Sequence, residues 1–119
     1  MTFHLDLPYL NYILDVIKDI EESIKYISKD EFLEEKDIRD ANVRRIEIIA
    51  EAIKNISSNT KNKYKNVSWE KIATIKDRIS NHYFGINFDA IFELLENDLP
   101  IFKEQILKIK KDLEKRKEK

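Results

Sequence analysis

The densest run of side chains able to do chemistry is KDRISNHYFG at residues 76–85. It places Lys76, Asp77, Arg78, Asn81, His82 and Tyr83 within eight consecutive positions, beside Gly85, the one glycine of the chain. Lys and Arg can hold a phosphate, and an imidazole can move a proton near neutral pH. If the segment is helical, an advance of about 100° per residue brings Lys76 and Tyr83 within ~20° of each other, two turns apart. Arg78 and His82 then form an i,i+4 pair on a different face, with Asn81 projecting between the two groups. The same residue types also suit a solvated helix end, and spacing alone does not separate the two.

Other chemistries are poorly served. Cys is absent, which removes thiolate nucleophiles, disulfides, zinc ribbons and iron–sulfur sites. His4 and His82 are the only imidazoles, so no metal centre is expected. One Gly and two Pro in 119 residues cannot make a phosphate-cradling glycine loop, and no cofactor is expected. The formal charge is −1, but it is unevenly spread. Residues 1–60 carry 8 basic and 13 acidic side chains, whereas residues 103–119 carry 8 and 4. The basic C-terminal end suits a solvated helix terminus, where the dipole favours Lys, and could also touch a polyanion. KNKYK at residues 61–65 has the same two readings, a solvated loop or an RNA contact.

Elements that could position residues 76–85 are helical. The shortage of Gly and Pro excludes a sandwich or barrel, which needs a turn every ~8–12 residues. Asp6 is expected to cap a first helix with Pro8 in its first turn. Leu10, Ile13, Leu14, Ile17, Ile20, Ile24 and Ile27 recur along it at steps of three and four. Residues 28–36 read as a break holding a short helical turn capped by Asp30. A second helix is predicted over residues 37–56, on Ile38, Ala41, Ile46, Ile49, Ala50, Ala52, Ile53 and Ile56. Residues 57–66 read as the clearest loop. A third helix, capped by Ser68, carries Trp69, Ile72, Ala73, Ile75 and Ile79 and ends at Gly85. Asn87 or Asp89 starts a short fourth helix, and Asp98 caps a last one with Pro100 in its first turn. Leu99, Phe102, Ile106, Ile109 and Leu113 step along that last helix. Phe32, Trp69, Phe88, Phe92 and Phe102 are expected to pack in the core. The expectation is an all-α antiparallel bundle of about five helices, one domain over residues 1–119, with a frayed basic end at 108–119. No apolar stretch approaches the ~20 residues of a membrane span and no signal-peptide pattern opens the chain, so a cytoplasmic protein is expected.

Four stretches resemble the HEPN-domain toxins of the HepT type, partners of MntA-type minimal nucleotidyltransferases. RDANVRRIEIIAEA (39–52) resembles the family's second-helix signature, and VSWEKIATIKD (67–77) its Trp-containing entry to the active helix. NHYFGINFDAIFE (81–93) resembles the segment that follows, and NDLP (97–100) the start of the last helix. With YLNYIL at Tyr9, the likeness runs over roughly residues 9–107. It implies a HEPN-like helical bundle that dimerises and a metal-independent endoribonuclease site near the dimer interface, acting on tRNA or mRNA. The family motif is Arg, four residues, His, one residue, Tyr. The Arg stabilises phosphate charge, the His acts as general acid or base on the ribose 2′-OH or the leaving oxygen, and the Tyr receives AMP from the nucleotidyltransferase antitoxin.

In this chain Tyr83 falls on the Tyr position and Asp77 on the polar residue after the Arg. Lys76 occupies the Arg position and Asn81 the His position. Lys keeps the charge without the bidentate fork, and Asn cannot shuttle a proton near pH 7. The resemblance therefore implies a toxin with impaired cleavage, natural or engineered. Arg78 and His82 are possible substitutes, though their spacing differs by one residue. The alternative is an inactive HEPN binding module, a dimeric docking partner and substrate of a nucleotidyltransferase. Val43, Ile46, Ile48, Ile49 and Ile53 cover more than one stripe of the second helix, which suggests a face for a second copy.

Overall fold

In the computed structural model three long helices carry the fold, and the structure describes residues 2–75, 77, 80, 81 and 85–117, with side chains for 5–75, 77 and 85–115. They are α1 (Thr2–Ile24), α3 (Lys36–Lys54) and α7 (Leu99–Lys117). Between them lie α2 (Lys29–Glu34), α4 (Ser58–Lys63), α5 (Trp69–Ala73) and α6 (Phe88–Glu93). Strands β1 (Ser80–Asn81) and β2 (Gly85–Ile86) form a two-pair antiparallel ladder, Ser80 with Ile86 and Asn81 with Gly85. The architecture is an all-α bundle, as the composition requires. No described helix is long and apolar enough to cross a membrane.

The apolar periodicity becomes the core. Leu10, Ile13, Ile17 and Ile20 of α1 are fully buried against Ile46, Ile49 and Ile53 of α3 and Phe102, Ile106 and Ile109 of α7. Phe32 of α2 packs on Phe92 of α6 with ring centroids 5.1 Å apart, and Trp69 meets Phe102 edge-on at 6.1 Å. Burying each such side chain contributes about 1.5–3 kcal/mol. The buried Asn42 is paired: it donates to Ser23 Oγ at 3.0 Å and to the Ile38 carbonyl at 2.9 Å, and its Oδ1 accepts from Arg45. Of the five α3 residues read as a possible dimer face, Val43, Ile46, Ile49 and Ile53 are buried in this core. Only Ile48 keeps partial exposure, so the breadth of that apolar stripe is used within the chain.

Several boundaries differ from the sequence reading, each for a physical reason. Asp6 is not a cap, because α1 begins at Thr2 and Pro8 lies inside it. The Asp6 carboxylate is buried and accepts from Ser57 N (2.9 Å), Ser57 Oγ (2.7 Å) and the buried Thr60 hydroxyl. Those bonds turn the expected loop at 57–66 into α4, whose own cap is Ser57 accepting from Thr60 N. The cap of α2 is Ser28 rather than Asp30, in a reciprocal capping box with Glu31. Asp98 caps nothing: α6 runs through a π-helical turn, Leu94–Asp98, straight into α7. There Leu99 N donates to Leu94 O, five residues back. Pro100, next along, lacks an N–H and its ring would crowd the carbonyl four residues earlier, and the wider turn relieves that conflict.

The helices are fastened across the surface by ion pairs. Lys103 of α7 reaches both oxygens of Glu21 on α1 at 3.1 Å. Lys29 of α2 bridges Asp89 (3.2 Å) and Glu93 (3.5 Å) of α6. Lys71 of α5 pairs with Asp98 at 2.9 Å.

Candidate active site

The candidate segment begins where α5 stops. Ser68 precedes α5 without a side-chain cap bond, and Trp69 anchors it by donating from Nε1 to the Tyr64 carbonyl at 3.0 Å. At the other end the Thr74 hydroxyl donates back to Glu70 O at 2.7 Å, satisfying a last-turn carbonyl. Ile75 is buried, and Asp77 donates its N–H to Thr74 O at 3.0 Å while its side chain stays exposed. The core thus grips residue 75 and releases the chain to solvent by residue 77.

The third helix does not continue to Gly85. Ser80 and Asn81 are extended and pair with Ile86 and Gly85. Gly85 holds φ at +87°, a conformation that costs an L side chain about 1 kcal/mol or more. Among the described residues no atom lies within 4 Å of where a Cβ would stand, so the backbone angle, not close packing, is what requires glycine. The helical projection that set Lys76 and Tyr83 on one face and Arg78 and His82 on another cannot be carried across an extended Ser80–Asn81.

Downstream, Asn87 caps α6 by accepting from Ala90 N at 3.1 Å, as one of the two expected starts. Phe88 is then held under Arg39 of α3, whose guanidinium carbon lies 4.5 Å from the ring centroid. Arg39 also donates to the Leu33 carbonyl at 2.6 Å, tying α2, α3 and α6 together at one point. Its buried Nε has no hydrogen-bond acceptor among the described residues; Asp40 Oδ1 stands 4.0 Å away. Sequence reasoning missed this clamp, because nothing local to Arg39 signals a ring 49 positions away.

Of the predicted site residues, Asp77 is placed on the exposed side of the chain after α5, and Asn81 is placed by its backbone in β1. Lys76, Arg78, His82 and Tyr83 lie outside the described residues. Among the described residues no three His, Asp or Glu side chains converge as a metal-binding group would.

The ribonuclease HepT-like family profile matches residues 13–109. The chain belongs to that family. A Methanocaldococcus jannaschii protein named gamma-glutamylcyclotransferase with a provisional RNase assignment is 42% identical over 92% of this chain, which spans only 49% of that relative's length. A Caldanaerobacter subterraneus protein provisionally named an RNase is 34% identical over 86% of this chain and 91% of its own. A Thermococcus cleftensis protein named probable ribonuclease HepT is 32% identical over 87% of this chain and 94% of its own. No solved structure matches the chain. The matched region takes in α1 from Ile13 onward, all of α2 to α6, and α7 as far as Ile109.

Proposed function

We propose that this protein is the toxin of a HepT–MntA-type toxin–antitoxin pair, a metal-independent endoribonuclease acting on tRNA or mRNA in the cytoplasm. The observation that carries the reading is the family match across residues 13–109. In this reading Lys76 holds the scissile phosphate as a point charge, Asp77 stands beside it, and Asn81 fills the place of the proton-transferring group. Tyr83 is the hydroxyl to which the nucleotidyltransferase antitoxin transfers AMP, which would silence the site. Two copies of the chain are expected to assemble. The exposed aromatic side chains that line one cleft with Ile48 are Tyr9 and Tyr12 of α1, and sedimentation of a Tyr12→Glu chain tests whether they take part.

The two departures from the motif define the chemistry to be tested. A lysine at 76 gives up the second donor of a guanidinium fork. An asparagine at 81 can donate a hydrogen bond but cannot exchange a proton near neutral pH. A positioned acid–base group contributes about 10²–10⁴ in rate. The chain is therefore expected to cut RNA in EDTA at least ~10²-fold more slowly than its Lys76→Arg/Asn81→His variant. Equal cutting by both assigns the work to Arg78 and His82, which Arg78→Ala and His82→Ala then test. No cutting by either overturns the nuclease reading. The binding-module reading would then stand on AMP transfer from ATP to Tyr83 by the partner enzyme, lost in Tyr83→Phe.

A further inference from the structure

Two basic runs that are far apart in sequence are brought side by side by the fold. The first is KNKYK at residues 61–65, at the end of α4 and just beyond it. The second is the stretch of α7 from Lys108 to Lys115. Tyr64 joins them, donating its hydroxyl to Asp112 Oδ2 at 2.9 Å. Gln105 continues the seam, donating to the Asn66 carbonyl at 3.2 Å and accepting from Ser68 N at 3.4 Å.

Helical geometry then fixes which lysines share this face. Lys108 and Lys115 stand four residues before and three after Asp112, one turn away on either side, so they flank the point where Tyr64 docks. Lys61 stands three residues before Tyr64 and shares its side of α4. Lys65, Lys108 and Lys115 are exposed and Lys61 is half-buried. None of these four forms an ion pair with a described residue, whereas Lys29, Lys54, Lys71 and Lys103 elsewhere each have a carboxylate within 4.0 Å. The carboxylate closest to the seam, Asp112, is engaged by the Tyr64 hydroxyl. Over residues 58–66 and 104–115 the chain carries seven lysines against three carboxylates, Glu104, Asp112 and Glu114.

We propose that Lys61, Lys65, Lys108 and Lys115 form a docking surface for the phosphate backbone of RNA, separate from the 76–85 segment. The proposal rests on the RNA-directed reading above and adds a second point of contact to it. Residues 64–71 run antiparallel along α7, from Tyr64 at Asp112 to Lys71 at Asp98. Fourteen residues of helix separate those levels, roughly 20 Å. That is about six stacked nucleotides at ~3.4 Å each, the length of strand that would span from the level of Lys71 to that of Tyr64. Such a surface reads charge, not sequence. It sets affinity and salt dependence and leaves the chemical step alone.

The test uses a fluorescein-labelled 2′-O-methyl RNA of about 20 nucleotides, which binds through phosphates but offers no 2′-hydroxyl to attack. Anisotropy titrations across a range of salt compare the wild-type chain with Lys61→Gln/Lys65→Gln/Lys108→Gln/Lys115→Gln. The wild type is expected to weaken steeply with salt. The four-Gln chain should lose roughly 0.7 of the log–log slope for each phosphate contact removed, and at least ~10-fold in affinity at low salt. The same four positions changed to Arg should keep the wild-type slope, since charge alone is read. If the four-Gln chain does not fold by circular dichroism, the pairs Lys61/Lys65 and Lys108/Lys115 are changed separately, each expected to remove about half the effect. Equal slopes and affinities for wild-type and Gln chains overturn the proposal. Displacement of the RNA by poly-glutamate at lower charge concentration also overturns it, by showing a surface made for acidic polypeptide. Cutting of the unmodified RNA is followed in parallel. Its absence in the Lys76→Arg/Asn81→His chain overturns the nuclease reading alone, because the binding slope needs no proton transfer.

Discussion

Asp6 and Tyr64 show how single side chains decide the shape of the region around α4. Asp6 is 1% exposed and accepts from both donors of Ser57 and from Thr60, which is 0% exposed. Asp6→Ala would leave a backbone N–H and a buried hydroxyl without acceptors. Each orphaned donor costs about 1–3 kcal/mol. The variant is expected to lose about 2–4 kcal/mol by urea denaturation, with α4 melting before α1, read by hydrogen exchange at Thr60 and Lys61. Tyr64 makes a pH prediction. Burial, then the hydrogen bond to Asp112 and its negative charge, push the Tyr64 hydroxyl up to about 12. The folded state therefore favours the neutral phenol. Its contribution is fully present below the ordinary tyrosine value near 10 and is lost as the pH rises through about 12. Tyr64→Phe should cost about 1 kcal/mol at pH 7. The gap between its Tm and that of the wild type should stay constant to about pH 10 and close above it.

At the scale of elements, legibility follows the range of the interaction that makes each one. The core faces of α1, α3 and α7 were readable because spacings of three and four are local and were answered by burial: Leu10, Ile13, Ile17 and Ile20, then Ile46, Ile49 and Ile53, and Leu99, Phe102, Ile106, Ile109 and Leu113 are in the core. The short helix α4 was not readable, since the group that completes its N-terminus sits 51 residues upstream in Asp6. The continuity of α6 and α7 was hidden by an ambiguity, because a proline two residues after an Asp signals a helix start as well as it signals a π turn. The motif positions 76, 77, 81 and 83 are named by the resemblance alone. The extended backbone of Ser80–Asn81 was not legible, because it pairs with Ile86 and Gly85, and Gly85 takes a positive φ. The clamp at Arg39 can be tested. Arg39→Ala removes the stack on Phe88 and the bond to Leu33 O, an expected loss of about 2 kcal/mol. Arg39→Lys should recover little of it, since an ammonium lacks both the plane that covers the ring and the fork that reaches the carbonyl. Amide exchange at Gly85 and Ile86 should quicken in both variants if the clamp holds the ladder in place. Unchanged exchange there, beside a global loss of stability, would restrict Arg39 to joining α2 and α3.

Across the whole molecule, the placement of charge separates two kinds of surface. Lys29, Lys71 and Lys103 join helices through Asp89, Asp98 and Glu21. Lys61, Lys65, Lys108 and Lys115 join nothing among the described residues, and the Tyr64–Asp112 seam holds them near one another. Neighbouring like charges of this kind oppose folding by a few tenths of a kcal/mol per pair at low ionic strength. Neutralising all four should therefore stabilise the isolated chain by about 1 kcal/mol in dilute buffer. The gain should vanish near 1 M salt, where the screening length falls to about 3 Å. Urea midpoints of the wild-type and four-Gln chains at both ionic strengths decide it. A four-Gln chain that is less stable in dilute buffer would mean that these lysines serve the fold, and that the stability of the α4–α7 seam is reason enough for them. A more stable chain that binds RNA less well would locate the reason for four lysines with no ion pair among the described residues outside the folded protein, in a polyanion that they meet together.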